Sequence, residues 1–199
     1  MIKLILTVIL TTLQNVVLAQ IVAFAQDEEL RDAVEYQLSN KQEKFDTLRT
    51  FRVGKQILEI ATTYSNDQTE SYDLRCYIIR PLPGKRYQQI FIDSQGVEGG
   101  PAELETIFSA NVNSDRSLEI IVLYRWHISH YMTGGYIYEV RCYKNFDSNS
   151  TRLLPLLNQP KIDCGFEGVL DGKTVHARYN TEAKIRRRLK QLGYKQYSK

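Results

Sequence analysis

No G-x-S-x-G, H-E-x-x-H or C-x-x-C motif occurs in the chain, so it carries no recognisable signature of a serine-hydrolase elbow, a zinc protease or a thiol oxidoreductase. Histidine is scarce. Of the three, His127 and His130 stand three apart in a strand-like stretch, where side chains point to opposite faces, so joint metal ligation would need a turn there. Cysteine is equally scarce: Cys76, Cys142 and Cys164 allow at most one internal disulfide and leave one thiol over. Carboxylates are plentiful but follow no glycosidase-like pairing. Beyond the first 25 residues no apolar run is long enough to span a bilayer, which takes about 20 residues.

What is present begins with a leader. Lys3 precedes an apolar stretch from Leu4 to Leu13, and small and apolar residues lead to Ala23-Phe24-Ala25 before Gln26, the layout of a secretory signal peptide over residues 1–25. Ala19 is the other acceptable cleavage site, and an uncleaved anchor is the alternative reading. Residues 26–199 are then expected to form a single β-rich domain, periplasmic or secreted, with no stable membrane span once the leader is removed. In an oxidising compartment any of three cysteine pairings is open, and Cys142 with Cys164 is favoured because the Asn-, Ser- and Pro-rich segment between them is a long loop that a bridge would restrain.

The formal charge is only +3, but it is unevenly spread. Between Asn180 and Lys199 seven cations face one acid, Glu182, leaving the body acidic. Export removes nucleic acid as a partner and favours acidic polymers, lipid phosphates or an acidic protein; a solvated helix face is the plainer alternative.

The strongest strand signal runs from Leu118 to Trp126. Leu118, Ile120, Val122, Tyr124 and Trp126 share one face and Ile121 and Leu123 the other, the pattern of a central strand covered on both sides. Further strands are expected over 52–64, 72–80, 87–92, 136–144, 166–169 and 174–179, with Asp93 to Pro101 as loop and a hairpin turn through Thr133-Gly134-Gly135. Asp171-Gly172 signals a second tight hairpin. Leu30, Ala33, Val34 and Leu38 form the stripe of a short N-terminal helix; Ile185, Leu189 and Leu192 form that of a basic C-terminal helix capped by Asn180 or Thr181 and ended by Gly193. The sum is an α+β domain, a mainly antiparallel β-sheet of about seven strands with a helix at either end. One internal echo stands out: Tyr72 to Tyr77 (YDLRCY) and Tyr138 to Tyr143 (YEVRCY).

Ahead of the central strand, Asn111, Asn113, Asp115 and Glu119 follow the spacing 1, 3, 5, 9 by which oxygen-bearing side chains converge on a hard cation, with a backbone carbonyl near Ser117 completing the shell. The run ANVNSDRSLEIIVLY resembles the calcium-loop-plus-strand element of FG-GAP repeats, the integrin-propeller type, whose pattern is D-x-[DN]-x-D-G-x-x-[DE] before an apolar strand. The resemblance covers about 17 residues, one element, and length excludes a complete propeller. It implies Ca2+ held by Asn111, Asn113, Asp115, Ser117 and Glu119. Asn111 replaces the first acid and Arg116 stands at the turn glycine. The alternative is an Asn/Ser/Asp turn that hydrogen-bonds its own backbone.

Tyr124, Trp126, Tyr131, Tyr136 and Tyr138 lie on or near one hairpin and are the candidate binding surface, for sugar stacking or for a protein anchor; packing between strands is the alternative. Size, export and the lack of a reactive group point to a non-enzymatic binding protein, such as an immunity factor or inhibitor acting on a toxin or cell-wall hydrolase. The alternative class is a calcium-supported envelope module that contacts surface polysaccharide. A hydrolase using scattered acids is the third.

Overall fold

The computed structural model describes residues 28, 30–33, 35–36, 43–53, 56–65, 72–82, 86–113, 117–144, 152–156 and 160–194. The chain divides into two units, Met1–Lys41 and Gln42–Lys199. In the first, residues 28, 30–33, 35 and 36 are helical and Leu30, on the expected apolar stripe, is buried. Among the described residues no helix is long and apolar enough to cross a membrane. The leader over 1–25 lies outside them.

Among its described residues the second unit holds nine strands: β1 (Glu43–Val53), β2 (Gln56–Ser65), β3 (Leu74–Leu82), β4 (Arg86–Gln95), β5 (Ala102–Ala110), β6 (Glu119–His130), β7 (Thr133–Tyr143), β8 (Gly165–Leu170) and β9 (Lys173–Val175). They form two antiparallel meanders, β1-β2-β3-β4 and β5-β6-β7-β8-β9. The class is α+β and mainly antiparallel β, as the pattern predicts.

Side-chain alternation explains the layering. Ile120, Val122, Tyr124 and Trp126 of β6 pack in one core with Ile60 of β2, Leu74 and Ile78 of β3 and Ile90 and Ile92 of β4. Ile121 and Leu123, on the opposite face, pack with Phe108, Cys142, Cys164 and two residues of the C-terminal helix (Glu182–Gln191), Ile185 and Leu189. The second sheet is therefore covered by the first sheet on one side and by the helix on the other. Thr181 caps the helix by accepting from Lys184 N, Glu182 lies in the first turn, and Arg188 and Lys190 lie in the last, each at the favourable end of the dipole. Ile185 and Leu189 are fully buried, worth together about 3–6 kcal/mol as an upper bound. Leu192, expected on the buried stripe, lies beyond the last turn and is exposed.

The expected seven strands fall short by β1 and β5. Each carries a β-bulge, between Phe45 and Thr47 in β1 and between Leu104 and Thr106 in β5. An extra residue reverses the phase of in-out alternation, so neither strand keeps one period along its length. The expected strand over 174–179 shrinks to β9.

The hairpin turn is also displaced. Tyr131-Met132 makes it, while Gly134 and Gly135 already pair with Ser129 and Ile128 inside β7. Their role is close approach: Gly135 faces Gly168 of β8, and a Cβ on Gly168 would stand 2.2 Å from Gly134 O. We predict that Gly168→Ala, which adds that clash at φ 145°, lowers stability by about 1–3 kcal/mol in urea melts. The Asp171-Gly172 turn is as expected, with φ 51° and 76°, the two positive values of a type I′ hairpin.

Within the long connection after β7, residues 152–156 form a strap between the sheets. Leu153 N donates to Phe91 O at 2.8 Å on β4, and Lys144 N to Leu154 O at 2.9 Å and Leu156 N to Cys142 O at 3.0 Å tie it to β7.

Candidate functional site

The polar loop closes on Glu119. Buried at the start of β6, its carboxylate accepts from Val112 N at 3.0 Å, Asn113 Nδ2 at 2.6 Å and Ser117 Oγ at 2.7 Å, while Asn111 Nδ2 donates to Ser117 O at 3.3 Å. Four of the five residues picked out as ligands thus converge, Asn113 and Ser117 as donors to the Glu119 carboxylate and Asn111 as a donor to the Ser117 carbonyl. Asp115 lies outside the described residues. A cation would have to displace Asn113 and Ser117 from Glu119, and among the described residues no group of three or more His, Cys, Asp or Glu could hold a metal. We predict that Glu119→Ala, which orphans a buried backbone N–H and two side-chain donors, costs about 2–4 kcal/mol in denaturant melts.

The aromatic hairpin separates into two populations. Tyr124 and Trp126 are buried between the sheets, where Trp126 Nε1 donates to Gly96 O at 2.9 Å, so they present no binding surface. Period-2 alternation puts them on the inner face. Tyr136 and Tyr138 stand half-buried on the outer face of β7, and Tyr131 is fully exposed at the turn.

On that outer face Tyr138 packs against the helix-side core. Beside it Arg125 holds Glu103 and Glu105, each at 2.7 Å, and its guanidinium lies 4.8 Å from the Tyr136 ring centroid. Tyr136 packs at 5.2 Å on His127 and at 6.3 Å on Tyr138, giving a row of rings bordered by acids. Next to it Glu167 takes His176 Nδ1 at 2.8 Å and Ala177 N at 2.9 Å, and these bonds hold its carboxyl below the ordinary range. Past the row the two hairpin tips are tied together by Gly172 N on Met132 O at 3.1 Å. Tyr131, Met132, Val169 and Leu170 are all exposed on these tips.

Two acid clamps escaped the sequence reading, and the echo was their signal. In Arg75-Cys76-Tyr77 and Arg141-Cys142-Tyr143, Arg and Tyr are two apart and so share a strand face. Arg75 Nη1 at 2.7 Å and Tyr77 Oη at 2.9 Å donate to the buried Glu43, which also takes Thr63 Oγ1 at 2.6 Å. Arg141 Nη1 at 2.8 Å, Gln95 Nε2 at 2.9 Å and the Tyr143 hydroxyl donate to Asp93. The two cysteines of the echo therefore project away from their clamps, Cys76 into the core between the sheets and Cys142 under the helix. Each acid is saturated by its donors, which suits a structural joint rather than an acid-base group.

Cys142 and Cys164, expected as a disulfide, are free thiols in the same helix-side core, and Cys76 is free and buried as well. Burial pushes each of the three thiols up to about 12, away from the depressed value of a nucleophilic cysteine. The Tyr124 hydroxyl, facing Cys76 and Tyr143, is also raised by burial and forms no well-aligned hydrogen bond.

No family model, curated protein or solved structure matches the chain. The functional reading rests on the geometry above.

Proposed function

We propose that this chain is an exported, non-enzymatic binding protein of the cell envelope that engages a partner protein, as an immunity factor or inhibitor acting on a toxin or cell-wall hydrolase would. The observation that carries this reading is the exposure of four large apolar side chains, Tyr131, Met132, Val169 and Leu170, on two hairpin tips tied together by a hydrogen bond. Large side chains presented on a rigid support lose little entropy when a partner closes over them. The saturated acid clamps and the protonated, buried thiols add support, because they leave those groups committed to structure.

The test compares the wild-type chain with a Tyr131→Ser, Met132→Ser variant in recovery from envelope extract and in direct affinity for the protein recovered. An equally stable variant that binds at least tenfold more weakly supports the reading; equal binding by both sinks it.

The ring row of His127, Tyr136 and Tyr138 favours a second reading, an envelope module contacting surface polysaccharide with Ca2+ supporting the 111–119 loop. Under it the chain co-sediments with envelope polysaccharide, Tyr136→Ala abolishes the effect, and calcium raises the melting temperature. A flat calcium response removes the metal from this reading, and no co-sedimentation removes the sugar.

A further inference from the structure

A cleft of about 460 Å³ opens where the end of β1, the edge strand β5 and the first turns of the C-terminal helix meet. It lies apart from the hairpin tips, and nothing in the proposed function uses it. Its apolar wall includes Phe108, and its charged groups are Arg52 from β1 and Glu182 and Arg186 from the helix. We propose that this cleft is a binding site for a carboxylate-bearing ligand with an apolar body.

Arg186 is prepared for the task. Its Nε bonds Glu182 at 2.7 Å and its guanidinium lies 4.6 Å from the centroid of the Phe108 ring, which fixes the plane of the fork. Glu182 is bound on the Nε side, and no hydrogen bond to the two terminal nitrogens occurs among the described residues. Arg52 is exposed and has no carboxylate partner among the described residues. Two guanidinium groups from separate elements thus line one small cleft against a single acid, and an anion entering it relieves their repulsion. A planar fork stacked on a ring matches a carboxylate bidentately.

The surrounding backbone suits the same occupant. β5 ends its sheet, so its outer edge has no strand partner. Toward one end its carbonyls are capped from the other sheet, by Tyr64 Oη on Ala102 O at 3.0 Å and Arg49 Nη1 on Leu104 O at 3.1 Å. At the other end Ser109 Oγ donates to Arg52 O at 3.2 Å, fixing the backbone that carries Arg52. The volume falls in the range of about 300–1,000 Å³ that small-ligand sites occupy. Ile107, half-buried at the strand edge, offers apolar surface for the ligand body, and the two guanidinium groups fix the end at which its charge must lie.

The experiment titrates 15N-labelled mature protein with sodium benzoate, with benzamide as the uncharged isostere and inorganic phosphate as the competing anion. The expected result is a saturable benzoate shift at the Nε signals of Arg52 and Arg186 and the amide of Ser109, with none from benzamide. Arg52→Gln and Arg186→Gln should each weaken it at least tenfold, while Arg187→Gln, on the exposed helix face, leaves it unchanged. Tighter binding of N-acetylphenylalanine than of benzoate assigns the cleft to a peptide carboxy terminus, and the reverse order to a free acid. The proposal is overturned if benzoate gives no saturable shift at these residues, if benzamide binds equally, if phosphate binds more tightly, or if both variants bind as wild type. Because the readout is local to the cleft, its failure leaves the hairpin-tip proposal standing, and the converse holds.

Discussion

Replacing Trp126 by alanine is expected to lower the stability of the domain by about 3–5 kcal/mol, the range for emptying a large aromatic site in a core. Only 1% of the side chain is exposed, it packs 6.3 Å from the Tyr124 ring, and its Nε1 satisfies Gly96 O, so the variant loses packing and a buried hydrogen bond together. Against a typical total of about 5–15 kcal/mol this is a large fraction, and at about 2–4 °C per kcal/mol the melting temperature should fall by roughly 10 °C. Tyr131→Ser, five residues on, should leave it within about 1 °C, because a fully exposed side chain gives up no packing. Thermal melts of the two variants side by side separate the packed aromatics of this hairpin from the presented ones. Equal melting temperatures would mean that Trp126 is not in the core.

The second large effect is alkaline. Cys76, Cys142 and Cys164 are each pushed by burial from 9.0 to about 12, and Tyr64 and Tyr77 from 10.0 to about 12. The sign follows from linkage. Between the unfolded and folded values the native state keeps protons that the unfolded chain has released, so this stabilisation is complete below about pH 9 and declines as pH rises toward 12. One pH unit is worth about 1.4 kcal/mol per group, so three thiols alone remove on the order of 4 kcal/mol per unit above pH 9. Cooperative unfolding is expected between about pH 10 and 11, followed by circular dichroism, and Cys164→Ala should reduce the slope between about pH 9 and 10, where the thiols dominate, by about a third. Thiol labelling supplies the companion check: none of the three reacts in the native state at pH 7, and all three react after denaturation without reductant. A single reactive thiol would restore the Cys142–Cys164 bridge.

How much was legible in advance depends on whether one local rule governed a segment. The centre of β6 is legible because an unbroken period of two runs from Leu118 to Trp126 through residues apolar on both faces, although the strand itself runs from Glu119 to His130, and the C-terminal helix is legible because its cap, its first two stripe residues and its terminating glycine agree. β1 and β5 were lost to their bulges. The glycines after Met132 were assigned to the turn because sequence cannot distinguish a glycine that bends the chain from one that lets two strands touch; only the partner, Gly168, tells them apart. At the candidate site the spacing brings Asn111, Asn113, Ser117 and Glu119 together, but spacing specifies convergence and not what lies at the centre. These four spend their polarity on each other, and Asp115 is not among the described residues. The clamps on Glu43 and Asp93 were out of reach for a different reason: their acids are 32 and 48 residues from the arginines they hold, a pairing set by sheet stacking and strand order.

Within each sheet every strand is paired only with its neighbours in chain order, so neither sheet needs a crossover before it can form. Apart from the long connection between β7 and β8, pairing costs the closure of short loops, which grows slowly with length and favours fast folding. As the chain is synthesised amino end first, the β1–β4 ribbon can zip up on its own and offer an apolar face before β5 has emerged. The helix arrives last and closes the outer face of the second sheet over Ile121 and Leu123.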